Sequence, residues 1–412
     1  MARFAFIVPP LTGHVNPTLS LGAELLQRGH RVAWISLDAS LITRLPKYGE
    51  LLLVEYDQDD ADKKNSEEYL DQITKKNVSG IESIKFLYED VLIPLNRFMF
   101  DGILTQLENF KPDVVINDHQ LFAGAIAAYK RRIPYATSVT APAAIKMMDD
   151  LPGVHEWEMK QITGLQQELG IPGDKGIVCS EALTMVFTSK DFFGDMRLPG
   201  FYRFVGPVIR NRSVISGFNW ERFNSMKQPR ILVSIGTTFD HCYKKEFFGK
   251  VIEAFADEAL SVVVVSDEQL FEKWPDNFIV SERVPQLELL PHLDAVVCHG
   301  GHNTVSETLL HGLPLVVIPI AYDQSHVAGR VVSAGSGIRL NYRRFKANHL
   351  KDAVYGVLQD PSYKIAAELI QRSFEEAGGA AAAATMLEEL ISRHESYGVP
   401  GSQAFYRNRF YH

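Results

Sequence analysis

Short unbroken apolar runs recur along the chain, and helically spaced stretches follow them. "FAFIVPP" (4–10), "RVAWISL" (31–37), "VVIN" (114–117), "RILVSIGTT" (230–238), "LSVVVVS" (260–266), "AVV" (295–297) and "LPLVVIP" (313–319) are the clearest runs. Runs this short, without polar alternation, predict strands buried on both faces. "PTLSLGAELLQRGH" (17–30) and "KKEFFGKVIEAFADE" (244–258) carry the helical period between them. For the first of these helices, Asn16 reads as the cap, Pro17 as the first turn and Gly29 as the stop. Strand and helix in alternation imply parallel sheets built from βαβ units. The pattern starts at residue 4 and again at residue 230, so the fold class is α/β with two such sheets.

A length of 412 residues also calls for two domains. The polar stretch 208–229, ended by Pro229, reads as the linker between an N-terminal domain over 1–207 and a C-terminal domain over 230–377. An Ala-rich helix and an aromatic tail fill 378–412, and the helix is expected to pack back toward the N-domain. Within the first domain, 84–104 is an apolar helical stretch that Pro94 should kink.

Charge and cysteine content narrow the class. A formal charge of -8 disfavours a nucleic-acid partner. Three cysteines without a CxxC spacing fit neither a disulfide framework nor a zinc knuckle. With no signal-peptide pattern, and with 313–321 too short to span a bilayer, the expectation is a cytoplasmic protein. It would touch membranes peripherally at most and exist as a monomer or weak dimer.

The chemistry concentrates in "VCHGGHNTVSE" (297–307). "AVV" reads as a strand and "NTVSETLLHG" as the next helix, so Gly300 and Gly301 fall at the turn between them. Backbone N–H groups there can approach an anion closely, and the helix N-terminus favours negative charge. His299, Asn303 and Thr304 add side-chain donors. Glu307 lies about 6 Å further along the helix, where it can accept from two vicinal hydroxyls. An anion followed by a diol describes a nucleoside diphosphate.

This stretch resembles the donor signature of the family 1 glycosyltransferases, the UDP-sugar enzymes of GT-B fold, closest to their bacterial macrolide-glycosyltransferase-like branch. "GHVNP", "VSIGTT", "RVPQLELLPHLDAVVCHGG", "HGLPLVVIP" and "DQSHVAGRVVSAGSG" extend the resemblance over nearly the whole chain. It implies a diphosphate near His299, Gly301, Asn303 and Thr304, a ribose on Glu307, and Gly236 and Thr237 facing the phosphates. Val284 and Gln286 would frame the uracil. Arg283 stands where many relatives stack a tryptophan on the base, and a planar guanidinium can stack there too. His302 would line the donor site. Asp323 and Gln324 would hydrogen-bond the transferred sugar, although an Asp in that place also suits a helix N-cap.

Histidine accepts protons near neutral pH, and a carboxylate partner orients its ring. His14, on the loop after the first strand, and Asp118, at the end of "VVIN", sit where open α/β sheets bind ligands. The resemblance makes them the general base and its partner in an inverting transfer. His119 is expected to point elsewhere. No cofactor or metal is expected, only a UDP-sugar co-substrate, with UDP-glucose the expected donor. The DxD-like "DQDDAD" (57–62) sits in a charge-rich stretch that reads as solvated surface. A small apolar hydroxylated acceptor would meet Phe86, Leu87, Phe98, Met99 and Met147. Two other readings are a nucleotide-sugar epimerase or hydrolase of the same fold and a silent sugar-nucleotide-binding adaptor. A nicotinamide dehydrogenase would need a GxGxxG that neither opening strand supplies.

Overall fold

A computed structural model describes residues 1–54, 81–209, 217–236, 241–321 and 323–396. The side chains of residues 81, 147, 241–243 and 393–396 are not described. The predicted strands form two parallel sheets. In the first, β1 (Arg3–Ile7), β2 (Arg31–Ser36), β3 (Glu50–Leu53), β4 (Val114–Asp118), β5 (Tyr135–Val139), β6 (Thr184–Val186) and β7 (Tyr202–Phe204) take the order 3-2-1-4-5-6-7. In the second, β8 (Arg230–Ser234), β9 (Ser261–Val265), β10 (Phe278–Ser281), β11 (Ala295–Cys298), β12 (Leu315–Val317) and β13 (Gly337–Arg339) take the order 10-9-8-11-12-13. The two orders are the same doubly wound pattern. Each reverses beside its opening strand, between β1 and β4 and between β8 and β11, which leaves a crevice at the strands' carboxyl ends.

The apolar runs fill both sheets. Phe4, Ala5, Phe6 and Ile7 of β1 are all fully buried, as are Ile231, Leu232 and Val233 of β8. Helix α1 (Thr12–Gln27) ends as expected at Gly29, whose φ of +83 suits glycine. The Gly29 N–H reaches Leu26 O and the His30 N–H reaches Leu25 O, a Schellman closure. Its start differs from the sequence expectation. Leu11 occupies the cap without a side-chain bond, and Pro17 lies inside the helix rather than at its first turn. Asn16 turns its Oδ1 to Arg44 Nη2 at 2.6 Å instead of capping.

The 84–104 stretch is interrupted just before Pro94. A single π turn, Leu87–Leu92, separates the helix Ile81–Phe86 from the helix Ile93–Phe110. Pro94, near the start of the later helix, lacks the N–H that would bond back across that turn. The linker also departs from expectation. Residues 217–229 fold onto the second domain, with Phe223 fully buried and Arg222 Nη2 donating to Phe278 O at 2.7 Å. Aromatic residues inside a polar stretch supply the anchor.

The helix Gly379–Ser396 returns to the N-domain and buries Ala383, Ala384, Leu387 and Leu390 in the cluster that holds Phe6, Leu21 and Trp34. Glu388 receives Arg28 Nη1 at 2.7 Å and pairs with His30 Nε2 at 2.8 Å. The outgoing and returning chains touch where Gly379 N donates to Val205 O at 2.7 Å. Gly206, beside that contact at φ +76, has no room for a side chain, since a Cβ there would stand 2.7 Å from Phe374 O. Among the described residues, no helix is long and apolar enough to cross a membrane.

Candidate active site

Val8 to Leu11 link β1 to α1, and His14 is the third residue of that helix rather than part of the loop before it. Asp118 closes β4, the strand paired with β1. The two side chains meet: His14 Nδ1 lies 3.0 Å from both Asp118 oxygens. Asp118 is fully buried while His14 keeps 14 % of its side chain exposed. Asp113, at the other end of the strand, pairs with Arg3 at the opposite rim.

Two further donors fix the carboxylate, and sequence reasoning missed both. Thr140 Oγ1, one residue beyond β5, donates to Asp118 Oδ2 at 3.0 Å and lies 2.8 Å from His14 Nδ1. Gln120 N donates to Oδ1 at 3.0 Å. The Asp-x-Gln spacing is a readable Asx turn; Thr140 needed the register of β4 against β5. His119 is a correction, because it does not point away. Its ring stacks on His14 with centroids 5.6 Å apart, and its Nδ1 lies 3.5 Å from Asp118 Oδ1.

The electrostatics follow from burial and pairing. Burial alone would raise the Asp118 pKa, but the His14 and His119 imidazoles outweigh it and hold the carboxyl well below its ordinary value. Burial works against a charged His14, yet the adjacent Asp118 carboxylate prevails and raises its pKa above the ordinary histidine value. His14, Asp118 and His119 bring ligand atoms within 4.8 Å of one another, the one such metal-capable grouping among the described residues. The Asp118 oxygens already accept from His14, Thr140 and Gln120, so this carboxylate is committed to orienting the His14 ring.

Opposite stands the β11 turn. His299 is wedged between glycines: a Cβ at Gly236 would stand 2.9 Å from its Cε1, and one at Gly301 2.7 Å from its Nε2. Gly300 needs glycine twice over, with φ at +89 and a would-be Cβ 2.9 Å from Val317 Cγ1. Burial lowers the His299 pKa to about 4, so it serves at neutral pH as an uncharged ring rather than an imidazolium. The helix His302–Leu310 starts here, with Gly301 as its cap and no side-chain bond to it. Its free N–H groups are therefore available to an anion.

That helix also reaches across the crevice. His302 Nε2 lies 3.1 Å from Phe187 O, and Asn303 Nδ2 donates to Gly13 O at 3.2 Å. Thr304 is half-buried on the following position, its carbonyl accepting from Thr308 Oγ1. Glu307 is buried and receives Gln286 Nε2 at 2.7 Å, so the two residues that the resemblance assigns to one nucleoside touch each other. Val284 is buried beside Gln286, with Gln286 N on Val284 O at 2.8 Å, while Arg283 is exposed.

Asp323 begins the helix Gln324–Ser333, but its carboxylate makes no cap bond. Burial raises its pKa, opposed by the charges of His14 and His119, which it faces from the other domain. Gln324 is partly committed elsewhere: its Oε1 accepts from Ile320 N at 2.9 Å and Ala321 N at 3.0 Å, leaving its Nε2 for a ligand. Thr237 lies outside the described residues, as do "DQDDAD" and the 398–412 tail.

The expected acceptor wall separates. Met99 is fully buried in the N-domain core with Ile103 and Leu107, so it fills that core rather than lining a pocket. Phe86 is also buried, and Leu87 packs against the same core. The helical period alone could not tell this packed face from a ligand-facing one. Phe98 is 38 % exposed. Met147 sits on the helix Ala143–Asp150, in a stretch whose side chain at that position is not described.

Known proteins resemble this chain in sequence and fold. The family model for UDP-glucoronosyl and UDP-glucosyl transferases matches residues 218–373. NDP-glycosyltransferase YjiC of Bacillus subtilis (strain 168) is 28% identical over 406 residues, covering 93% of this chain and 96% of that protein. Demethyllactenocin mycarosyltransferase of Streptomyces fradiae is also 28% identical, over 95% of this chain and 87% of its own. Among solved structures, the glycotransferase of kitacinnamycin superposes with a TM-score of 0.73 at 23% identity, over 94% of this chain and 99% of that one. CalG4, the calicheamicin glycosyltransferase, gives 0.71 at 22% identity, over 95% and 99%. Twin doubly wound sheets give the chain the GT-B fold; its residues 218–373 match the UDP-glucoronosyl and UDP-glucosyl transferase family, and nearly its whole length is similar to NDP-glycosyltransferases.

Proposed function

We propose that this enzyme moves glucose from UDP-glucose to a hydroxyl of a small, largely apolar acceptor, inverting the anomeric centre without a metal ion. The observation that carries the reading is the His14–Asp118 pair, held at 3.0 Å on one lip of the crevice while Asp323 and the His302 helix N-terminus form the other. With Nδ1 engaged by Asp118, Nε2 of His14 is the atom left to take the acceptor proton. The acceptor oxygen then attacks the anomeric carbon from the side opposite the leaving group. The C1–O bond to UDP breaks as the new C1–O bond forms, and the proton resides on His14.

Helix N–H groups and the neutral His299 would meet the charge that develops on the departing diphosphate, the task a metal performs elsewhere. A relative named zeaxanthin glucosyltransferase, from Pseudescherichia vulneris, is 24% identical over 96% of this chain and supports both glucose and an apolar acceptor. A solved neighbour, VinC, holds DTDP, so dTDP-glucose belongs in the same assay.

His14→Ala should cost about 10²–10⁴ in kcat while calorimetry finds UDP binding little changed. Loss of both together would remove His14 from the role of base. Turnover in excess EDTA should equal that in magnesium buffer; an absolute need for metal would overturn the helix-terminus account. Product NMR should show a β-linked glucose.

A further inference from the structure

We propose that the hydrogen bond from Asn303 to the Gly13 carbonyl is a latch that sets the base against the donor, and that Pro17 is the positioning residue that makes it possible. In a regular helix the Gly13 carbonyl would accept from the N–H four residues on. That residue is Pro17, which has no N–H, and it lies inside α1 rather than at its tolerant first turn. The carbonyl instead receives Asn303 Nδ2 at 3.2 Å, from the other domain.

Both ends of this bond are well placed. The Gly13 carbonyl belongs to the peptide that carries the His14 nitrogen, so whatever holds it also holds the base. Asn303 is the second residue of the His302–Leu310 helix, and its neighbour His302 engages Phe187 O just beyond β6. Two successive residues at one helix start therefore grip the N-domain main chain. A carboxamide nitrogen has two protons. One is used on Gly13, and the second remains for a diphosphate oxygen at the helix N-terminus, so a bound nucleotide and the N-domain can be held by one side chain at once.

This rests on His14 being the base, and the test separates the two ideas. Pro17→Ala and Pro17→Gly, made in the full chain, both return an N–H that competes for the Gly13 carbonyl. They differ in helix propensity, with glycine the poorer former. UDP affinity is measured by calorimetry, melting by scanning calorimetry, and kcat as UDP release from UDP-glucose with an acceptor that the wild-type chain uses. The latch predicts that both variants lose about tenfold in kcat with UDP affinity within about twofold, although their Tm values differ. A variant that is folded and keeps wild-type kcat overturns the latch, as does a kcat loss that follows Tm. A wild-type chain that neither binds UDP nor releases it from UDP-glucose would instead overturn the functional reading beneath it.

Discussion

Asp118 acts on His14 in two ways, and each has a measurable consequence. It orients the ring, and it raises the pKa of a histidine that burial would otherwise lower. With His14 as the proposed base, the reactive form is the neutral imidazole, so activity should fall as pH drops through that raised pKa, with the acid limb of kcat/KM above the ordinary value of about 6.5. Asp118→Asn removes the charge and keeps the shape. The acid limb should then move to lower pH, and the plateau should drop about 10²–10⁴-fold in a pH–rate series. An unmoved limb would assign the titration to another group. At this scale the sequence was legible where a residue's place follows from a strand end: Asp118 closes β4, while His14 and Glu307 lie in the helices that follow β1 and β11. Thr140 and His119 were not legible, because their roles come from the register of β5 beside β4 and from a ring stack, neither of which one chain segment encodes.

The turn between β11 and its helix separates two reasons for glycine. Gly301 has an ordinary φ of -61, so only the His299 ring, 2.7 Å from a would-be Cβ, forbids a side chain. Gly301→Ala should therefore fold with a near-normal Tm while UDP affinity falls about tenfold, as His299 is displaced. Gly300 sits at φ +89 against Val317 and the Gln324 carbonyl. Gly300→Ala adds a left-handed conformation, costing about 1–2 kcal/mol, to a clash with the Val317 side chain and a tight contact with the Gln324 carbonyl, and should lower Tm by several degrees. Equal melting of the two variants would contradict the distinction. Strands and their helices were readable from apolar runs and glycine stops, but boundaries were less so. The start of α1 was misplaced because Asn-Pro looks like a cap when the helix has in fact begun at Thr12.

The largest-scale feature is that the last described helix belongs to the first domain. Leu387 is fully buried in the cluster that also holds Trp34, so Leu387→Ala should destabilise the N-domain by about 2–5 kcal/mol. Urea unfolding followed by Trp34 fluorescence, in a chain with the other tryptophans replaced, would report it; an unchanged midpoint would mean that the helix packs elsewhere in solution. Two domains were foreseeable from the restart of the strand pattern, whereas the fate of 217–229 was not, since polarity concealed the anchor at Phe223. Among the described residues, the two passages of chain between the lobes meet where Gly379 N donates to Val205 O, closed in by Gly206. Rotation about that contact would open the crevice most at the far edge and least beside Val205, so an acceptor's size would be gated by angle rather than by any single side chain.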